Sequence, residues 1–482
     1  MPRRPANTPP MSDKKPVSAT TQKVLKALSL FTGVQSVTIL VSVIRTKLVA
    51  LWVGPAGVGL LSLYTWAIEL VTKGTQFDLR QSAVPRLSRC SDNDDKAREA
   101  ALVRRLALVL GILGTLAVIL LSPLLSYTTF GNYGHTLAFV FLSPILLLTG
   151  ITAAETGIMQ AFGMLRNLAK STVWGAVVAT SAAIPLYYFF RLEAIVPVLL
   201  VFALTNFAFT KIYRARTPRA AISLKETWAK GRPMLALGFF LSVSSFMGIA
   251  GTYIFMTYLN KYYSEATVGI YQAGSTLLTS YVGIIFTAIT MEYYPRLSKV
   301  ASSRWRASAV IAHESSLVLL ILIPVMVLVI CCGSLIVRIL YSSEFMAVLP
   351  YITIGVAAMP LKALSWCLAY TMIARGDGRI YFVTETASTV IFLILGIALF
   401  NHASFQGMGL AYVLWYALYL GIVAAVCRFR YNIKIAPRVY ILLAVSLAAA
   451  AVTLLLNRLL GPLATGAITL LPCAAAIWRM RK

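Results

Sequence analysis

Residues 56–59 read Ala56-Gly57-Val58-Gly59, and residues 85–89 read Pro85-Arg86-Leu87-Ser88-Arg89. Further along, Ala266-Thr267-Val268-Gly269 is followed by Pro295-Arg296-Leu297-Ser298-Lys299. The offset between the two sets is 210 throughout, and 26 residues separate glycine from proline in each, room for one membrane-crossing helix. A further echo sets Ala161, Gly163 and Arg166 against Ala374, Gly376 and Arg379, at an offset of 213. The chain reads as a duplication.

The repeated unit is a set of apolar runs. Of 482 residues, 59% are hydrophobic and 12% charged, against about 45–50% and about 25% in ordinary soluble proteins. Runs of roughly 20 apolar residues, the length that crosses a hydrocarbon core, recur along the chain and predict an all-α polytopic membrane protein. A transmembrane β-barrel would need short alternating strands instead. Spans are expected near 27–51, 56–77, 103–126, 136–162, 171–190 and 194–213. A matching set follows near 234–259, 267–292, 315–340, 346–374, 380–400 and 406–427, with a last pair near 439–456 and 461–478. That makes about 14 transmembrane helices: two parallel six-helix repeats forming two lobes around a central cavity, plus a C-terminal helix pair. The expected units are a disordered tail (1–22), an N-lobe (23–214), a basic linker (215–232), a C-lobe (233–430) and the last helices (431–482).

The net charge of +27 carries topology. With the N-terminus inside, 35 of the 43 Lys and Arg fall on one side, while the other has Arg191, Lys261, Arg338 and Arg458. Short cytoplasmic segments retain basic residues, so both termini are expected in the cytoplasm, and the charge argues for anionic lipid rather than nucleic acid. The six cysteines have no zinc spacing, and disulfides are not expected. Asp92-Asn93-Asp94-Asp95 reads as a solvated turn. No GxxxxGK[ST] run occurs, the three histidines lie near span ends, and neither cofactor nor metal is expected.

Ionisable side chains at bilayer depth are costly and mark candidate sites. Arg45 and Lys47 sit in the outward third of the first helix, where snorkelling to the interface is the competing reading. Glu69 and Lys73 share one face of the second helix, as a neutralising pair or as a site. Asp78 closes that helix. Glu155 lies deep in the fourth helix with no local partner, which favours titration during transport. Lys362 and Glu385 are the deep charges of the second half, where Phe255 stands at the position matching Arg45. Substrate contact is expected at Arg45, Lys47, Lys73 and Lys362, and coupling at Glu69, Glu155 and Asp78. Arg86 and Arg296 are expected at a cytoplasmic entrance, or as plain anchors.

The run Ile44-Arg45-Thr46-Lys47-Leu48-Val49-Ala50, followed by Val53-Gly54-Pro55-Ala56-Gly57-Val58-Gly59-Leu60, resembles the opening of Wzx-type flippases, the O-antigen and enterobacterial-common-antigen translocases of the MOP exporter superfamily. Val268-Gly269-Ile270-Tyr271-Gln272 through Pro295-Arg296-Leu297-Ser298 resembles the corresponding later part, and the similarity of pattern spans most of 23–430. The resemblance implies a V-shaped bundle in a bacterial inner membrane. It implies movement of a polyprenyl-diphosphate-linked oligosaccharide to the periplasmic leaflet by alternating access, no enzymatic activity, and polysaccharide polymerase machinery as a possible partner. By the same resemblance Arg45 matches a cavity arginine of related lipid flippases. Fourteen helices rather than the common twelve resemble the lipid II flippase branch instead. A multidrug antiporter of the same superfamily is the competing function, although its usually acid-rich site fits poorly with a net cationic interior. A non-transporting scaffold would not need charges along a duplicated axis.

Overall fold

The structure is a computed structural model that describes residues 37–90, 92–217, 224–461 and 465. The tail expected at 1–22 and the final span expected at 461–478, save Gly461 and Thr465, lie outside the described residues. The first half holds α1 (37–52), α2 (Gly54–Gln76), α3 (Leu79–Leu87), α4 (Asn93–Phe130), α5 (Thr136–Leu142), α6 (Pro144–Ala161), α7 (Leu165–Phe190) and α8 (Ile195–Tyr213). The second holds α9 (Leu224–Tyr262), α10 (Glu265–Ser275), α11 (Val282–Val300), α12 (Arg304–Leu340), α13 (Leu349–Gly355), α14 (Met359–Ala374) and α15 (Gly378–Phe429), and α16 (Pro437–Leu460) follows. Among the described residues, eight helical stretches are long and apolar enough to cross a membrane. Two of these fold back on themselves: 165–213 turns at Arg191 (φ 47°), and 378–429 at Ala403 and Ser404.

Several helices outrun the apolar windows that revealed them. α4 begins at Asn93 rather than near 103, α9 at Leu224 rather than near 234, and α12 at Arg304 rather than near 315. Hydropathy ends where charge begins, but helix propensity does not: Asp94-Asp95-Lys96-Ala97-Arg98-Glu99 is good helix-forming sequence with acids in the first turn, where the helix dipole favours them. The solvated turn expected at 92–95 is therefore the start of α4, and much of the stretch expected as a linker belongs to α9.

The packing is that of a membrane protein. Leu108, Ile112, Leu116, Leu120 and Leu124 recur every fourth residue along α4 and are all exposed, Leu120 at 79%. Such an apolar ridge faces hydrocarbon. Inward, Leu63, Val118, Leu142, Phe255 and Leu319 are fully buried in one core running through both halves. A second core, around Leu87, Leu106, Ile158 and Ala215, packs the ends of α3, α4 and α6.

The repeat signatures fall at two kinds of backbone feature. Gly163 (φ 71°) and Gly376 (φ 77°) each end a helix in the left-handed region, and in both the next amide reaches five residues back, Met164 to Met159 O and Asp377 to Met372 O. This is the Schellman stop, which favours glycine for want of a β-carbon. Gly59 and Gly269 instead permit a crossing of α2 over α10. A Cβ on Gly59 would lie 1.9 Å from Glu265 O, and one on Gly269 would lie 1.9 Å from Pro55 O. Positions 55 and 265 carry the same offset of 210, so the contact is reciprocal. Small residues let helix backbones approach to this range.

Candidate functional site

Beside that crossing lies a cavity of about 440 Å³ walled by both halves of the chain. α1 contributes Ser42, Arg45 and Thr46, α2 contributes Ser62, Thr65 and Trp66, and the second half contributes Gln272, Thr276 and Tyr341. The Ser62 and Thr65 hydroxyls each donate to the carbonyl four residues back, Val58 O and Leu61 O, at 2.7 Å. Their oxygens therefore meet the cavity as acceptors. Trp66 Nε1 donates to Gln272 Oε1 across the two halves at 3.2 Å, and Gln272 Nε2 donates to Thr276 Oγ1 at 3.2 Å. Thr276 opens a π-helical turn, Thr276–Tyr281, between α10 and α11, the kind of helical defect that often accompanies functional sites. Arg45 supplies fixed positive charge, with its guanidinium 4.9 Å from the centre of the Phe202 ring of α8.

The other expected contact residues lie elsewhere. Lys47 is not part of the cavity lining; it caps α12, donating to Arg338 O at 2.6 Å and to Tyr341 O. A lysine at a helix C-terminus satisfies carbonyls that have no intrahelical partner. Lys73 turns to Asp78 (2.6 Å) instead of making a bridge to Glu69. Asp78, at φ 39°, lies in the break between α2 and α3. Lys362 sits between α14 and α15, 3.4 Å from Tyr412 OH and 5.4 Å from the Tyr416 ring centre. Those tyrosines line a separate pocket of about 270 Å³ in the second half, together with Glu385, Ser388 and Trp415. There Tyr419 donates its hydroxyl proton to Glu385. Of the four expected cations, Arg45 is the one that lines the cavity between the halves.

Glu155 has partners that are distant in sequence. It is 1% exposed and accepts two bonds from Arg104 of α4, Nε to Oε1 at 2.9 Å and Nη2 to Oε2 at 3.0 Å, with Arg214 at 3.7 Å. The absence of a local partner, which favoured a titrating role, is thus made good 51 residues away. Arg104 also donates to Ala215 O (2.9 Å) and Thr217 Oγ1 (2.7 Å), fastening the chain where it leaves α8. Arg86 pairs with Glu99 at 2.7 Å and donates to Lys230 O at 2.6 Å. Arg296 pairs with Glu292 at 3.0 Å and lies 3.8 Å from Glu314. Each of these two arginines spans from one helix to the next at matching corners of the two halves. Among the described residues no group of three or more His, Cys, Asp or Glu is placed to hold a metal.

A family model described as "Polysaccharide biosynthesis protein" matches residues 103–350, just over half of the chain. The chain belongs to that polysaccharide biosynthesis family. No curated protein matches this family member in sequence. In structure it is similar to the lipid II flippase MurJ in an inward closed conformation (TM-score 0.70, 14% identity, covering 93% of this chain and 99% of that one). It is also similar to an inward-facing multidrug resistance MATE family transporter of the MOP superfamily (TM-score 0.65, 12% identity, 82% and 94% covered). A further likeness is to the MATE multidrug transporter DinF-BH (TM-score 0.58, 14% identity, 87% and 99% covered). This polysaccharide biosynthesis family member therefore has an all-helical, multi-pass membrane fold shared with flippases and transporters.

Proposed function

We propose that the protein is a flippase that carries a polyprenyl-diphosphate-linked oligosaccharide from the cytoplasmic to the periplasmic leaflet of a bacterial inner membrane, by alternating access. The observation that carries this reading is Arg45 on the wall of a cavity built by both halves, where hydroxyl and amide groups alternate with apolar side chains such as Val49, Val58 and Leu61. A diphosphate needs a cation, a glycan needs hydrogen-bonding partners, and neither crosses hydrocarbon unaided. The polysaccharide biosynthesis family favours a glycan cargo, and the reciprocal crossing of α2 and α10 suits two halves that rock about an axis between them. Two alternatives remain within the fold: a lipid II flippase, favoured by the likeness to MurJ over 93% of the chain, and a multidrug antiporter. Replacing Arg45 tests the proposal, with accumulation of lipid-linked oligosaccharide as the readout; accumulation of lipid II or loss of drug efflux would point to the alternatives.

In this reading the basic ends of the helices face the cytoplasm. A cysteine placed at Asn132 is then labelled by an impermeant thiol reagent in intact cells, and one at Ser302 is not. The reverse pattern would overturn both the orientation and the direction of transport.

Coupling to a cation or to membrane potential is assigned to Glu69 with the neighbouring Lys73 and Asp78, on and just beyond the helix that carries Ser62 and Trp66 into the cavity. Glu155 is given a bracing role because Arg104 already engages both of its oxygens. Breaking a buried pair costs about 3–5 kcal/mol, and the lower end applies here because Arg104 is 24% exposed. Glu155→Ala should therefore lower the Tm of the purified protein by several degrees while the folded fraction still responds to proton or sodium gradients. Glu69→Gln should leave the Tm in place and remove that response in proteoliposomes. Exchange of these two outcomes would return coupling to Glu155.

A further inference from the structure

A larger cavity, about 900 Å³, opens at the basic end of the first half, where the ends of α3, α4, α6, α7 and α8 converge. It is separate from the cavity between the halves, and its chemistry stands apart from the transport reading. Lys96, Arg214 and Arg216 line it, with Asn93 and Asn167 as further donors, and among the described residues no Asp or Glu belongs to its lining. Asp92, Asp94 and Asp95, beside Lys96, are exposed and outside the lining. Glu155 is a buried acid nearby; Arg104 bonds it and Arg214 lies 3.7 Å from it, which leaves Lys96 and Arg216 as the cations of the lining that no described acid engages.

The backbone that carries the two arginines is held in place. Beyond α8 the backbone becomes extended (Arg214 ψ 159°), so neighbouring side chains point to opposite sides. Ala215 is buried at 4% exposure in the smaller core, while Arg214 and Arg216 on either side of it are exposed. The strand is pinned by Arg104 at Ala215 O and Thr217 Oγ1, and by Asn167 Nδ2 to Tyr213 O at 3.1 Å. An ordinary positive-inside loop needs neither a pinned backbone nor a concave wall.

We propose that this cavity is a binding site for an anionic phosphate group, a phosphomonoester or diphosphate carried either by a soluble molecule or by the headgroup of a lipid in the facing leaflet. Forked guanidinium donors suit phosphate oxygens, and side-chain amides complete the set. The same strand starts the connection between the two halves, so occupancy of the site would be felt where they join.

Cys90 lines the cavity and is half-buried, which supplies a native probe. The purified full-length chain is treated with a neutral maleimide, and Cys90 modification is followed by peptide mass spectrometry. One arm adds inorganic pyrophosphate in detergent; the other compares nanodiscs of phosphatidylcholine with nanodiscs containing phosphatidic acid. Saturable protection by pyrophosphate identifies a soluble source, and protection confined to phosphatidic acid discs identifies a headgroup. In either arm, Lys96→Gln with Arg216→Gln should raise the concentration for half-protection about tenfold or more, whereas Lys299→Gln with Arg306→Gln, at the basic end of the second half, should leave it unchanged. Absence of protection in both arms, or equal loss with both pairs of substitutions, would overturn the site and leave only diffuse surface charge.

Discussion

Arg45→Ala is expected to reduce transport about 100-fold or more while the protein inserts and folds normally. That size follows from losing two charge-assisted hydrogen bonds to a phosphate group, each worth about 1.5–3 kcal/mol. Arg45→Lys should keep a measurable fraction, because a lysine restores the charge but not the planar fork that engages two oxygens together. Since Arg45 also lies against the Phe202 ring, part of its position comes from packing that lysine reproduces poorly. The measurement is lipid-linked oligosaccharide accumulating in the inner membrane, normalised to folded protein. Snorkelling makes a different forecast: lysine substitutes at no cost, and alanine lowers protein level rather than turnover. Wild-type turnover in a well-expressed Arg45→Ala variant would remove Arg45 from the binding site.

Gly59→Val and Gly269→Val should have comparably large effects by another route. The added Cβ at either position would fall 1.9 Å from a backbone carbonyl oxygen of the facing helix, and a backbone cannot turn aside as a flexible side chain can. Overpacking typically costs about 1–3 kcal/mol, and here the penalty falls on the state in which α2 and α10 touch. A penalty of that size moves an equilibrium between two conformations about 5- to 150-fold. A cysteine at Ser62, on the cavity wall, should become reactive to an impermeant reagent applied from the Gly59 side. Gly59→Ala should give the same shift to a lesser degree. If thiol accessibility and transport both match wild type in Gly59→Val, the crossing does not close that end of the cavity.

The paired glycine signatures were legible in the sequence because these residues do backbone work. Gly163 and Gly376 stop helices and Gly59 and Gly269 allow a crossing, and such roles leave few acceptable residues. Helix positions were legible from hydropathy, but starts such as Asn93 and Leu224 were not, because charged residues sustain a helix beyond the bilayer as well as apolar ones do within it. Partners of the deep charges were the least legible part. Lys47 and Arg338 are 291 residues apart, and Glu155 and Arg104 are 51 apart. A helical spacing rule sees Glu69 and Lys73 as a pair, but it cannot see that the break after α2 brings Asp78 within 2.6 Å of the lysine. Trp66 and Gln272 carried no sign in the sequence that they would meet across the two halves.

The reciprocal contact at Gly59 and Gly269 also ties the two positions to one another. Each glycine is confined by the other half's backbone, so a side chain added at either position strains the same contact. The lining is under no such constraint. Arg45 borders the cavity, and its counterpart Phe255 is fully buried, 4.9 Å from Tyr271 and 5.3 Å from Phe392 between ring centres. One half thus presents charge at this position and the other aromatic packing, while glycine stands at the crossing on both sides.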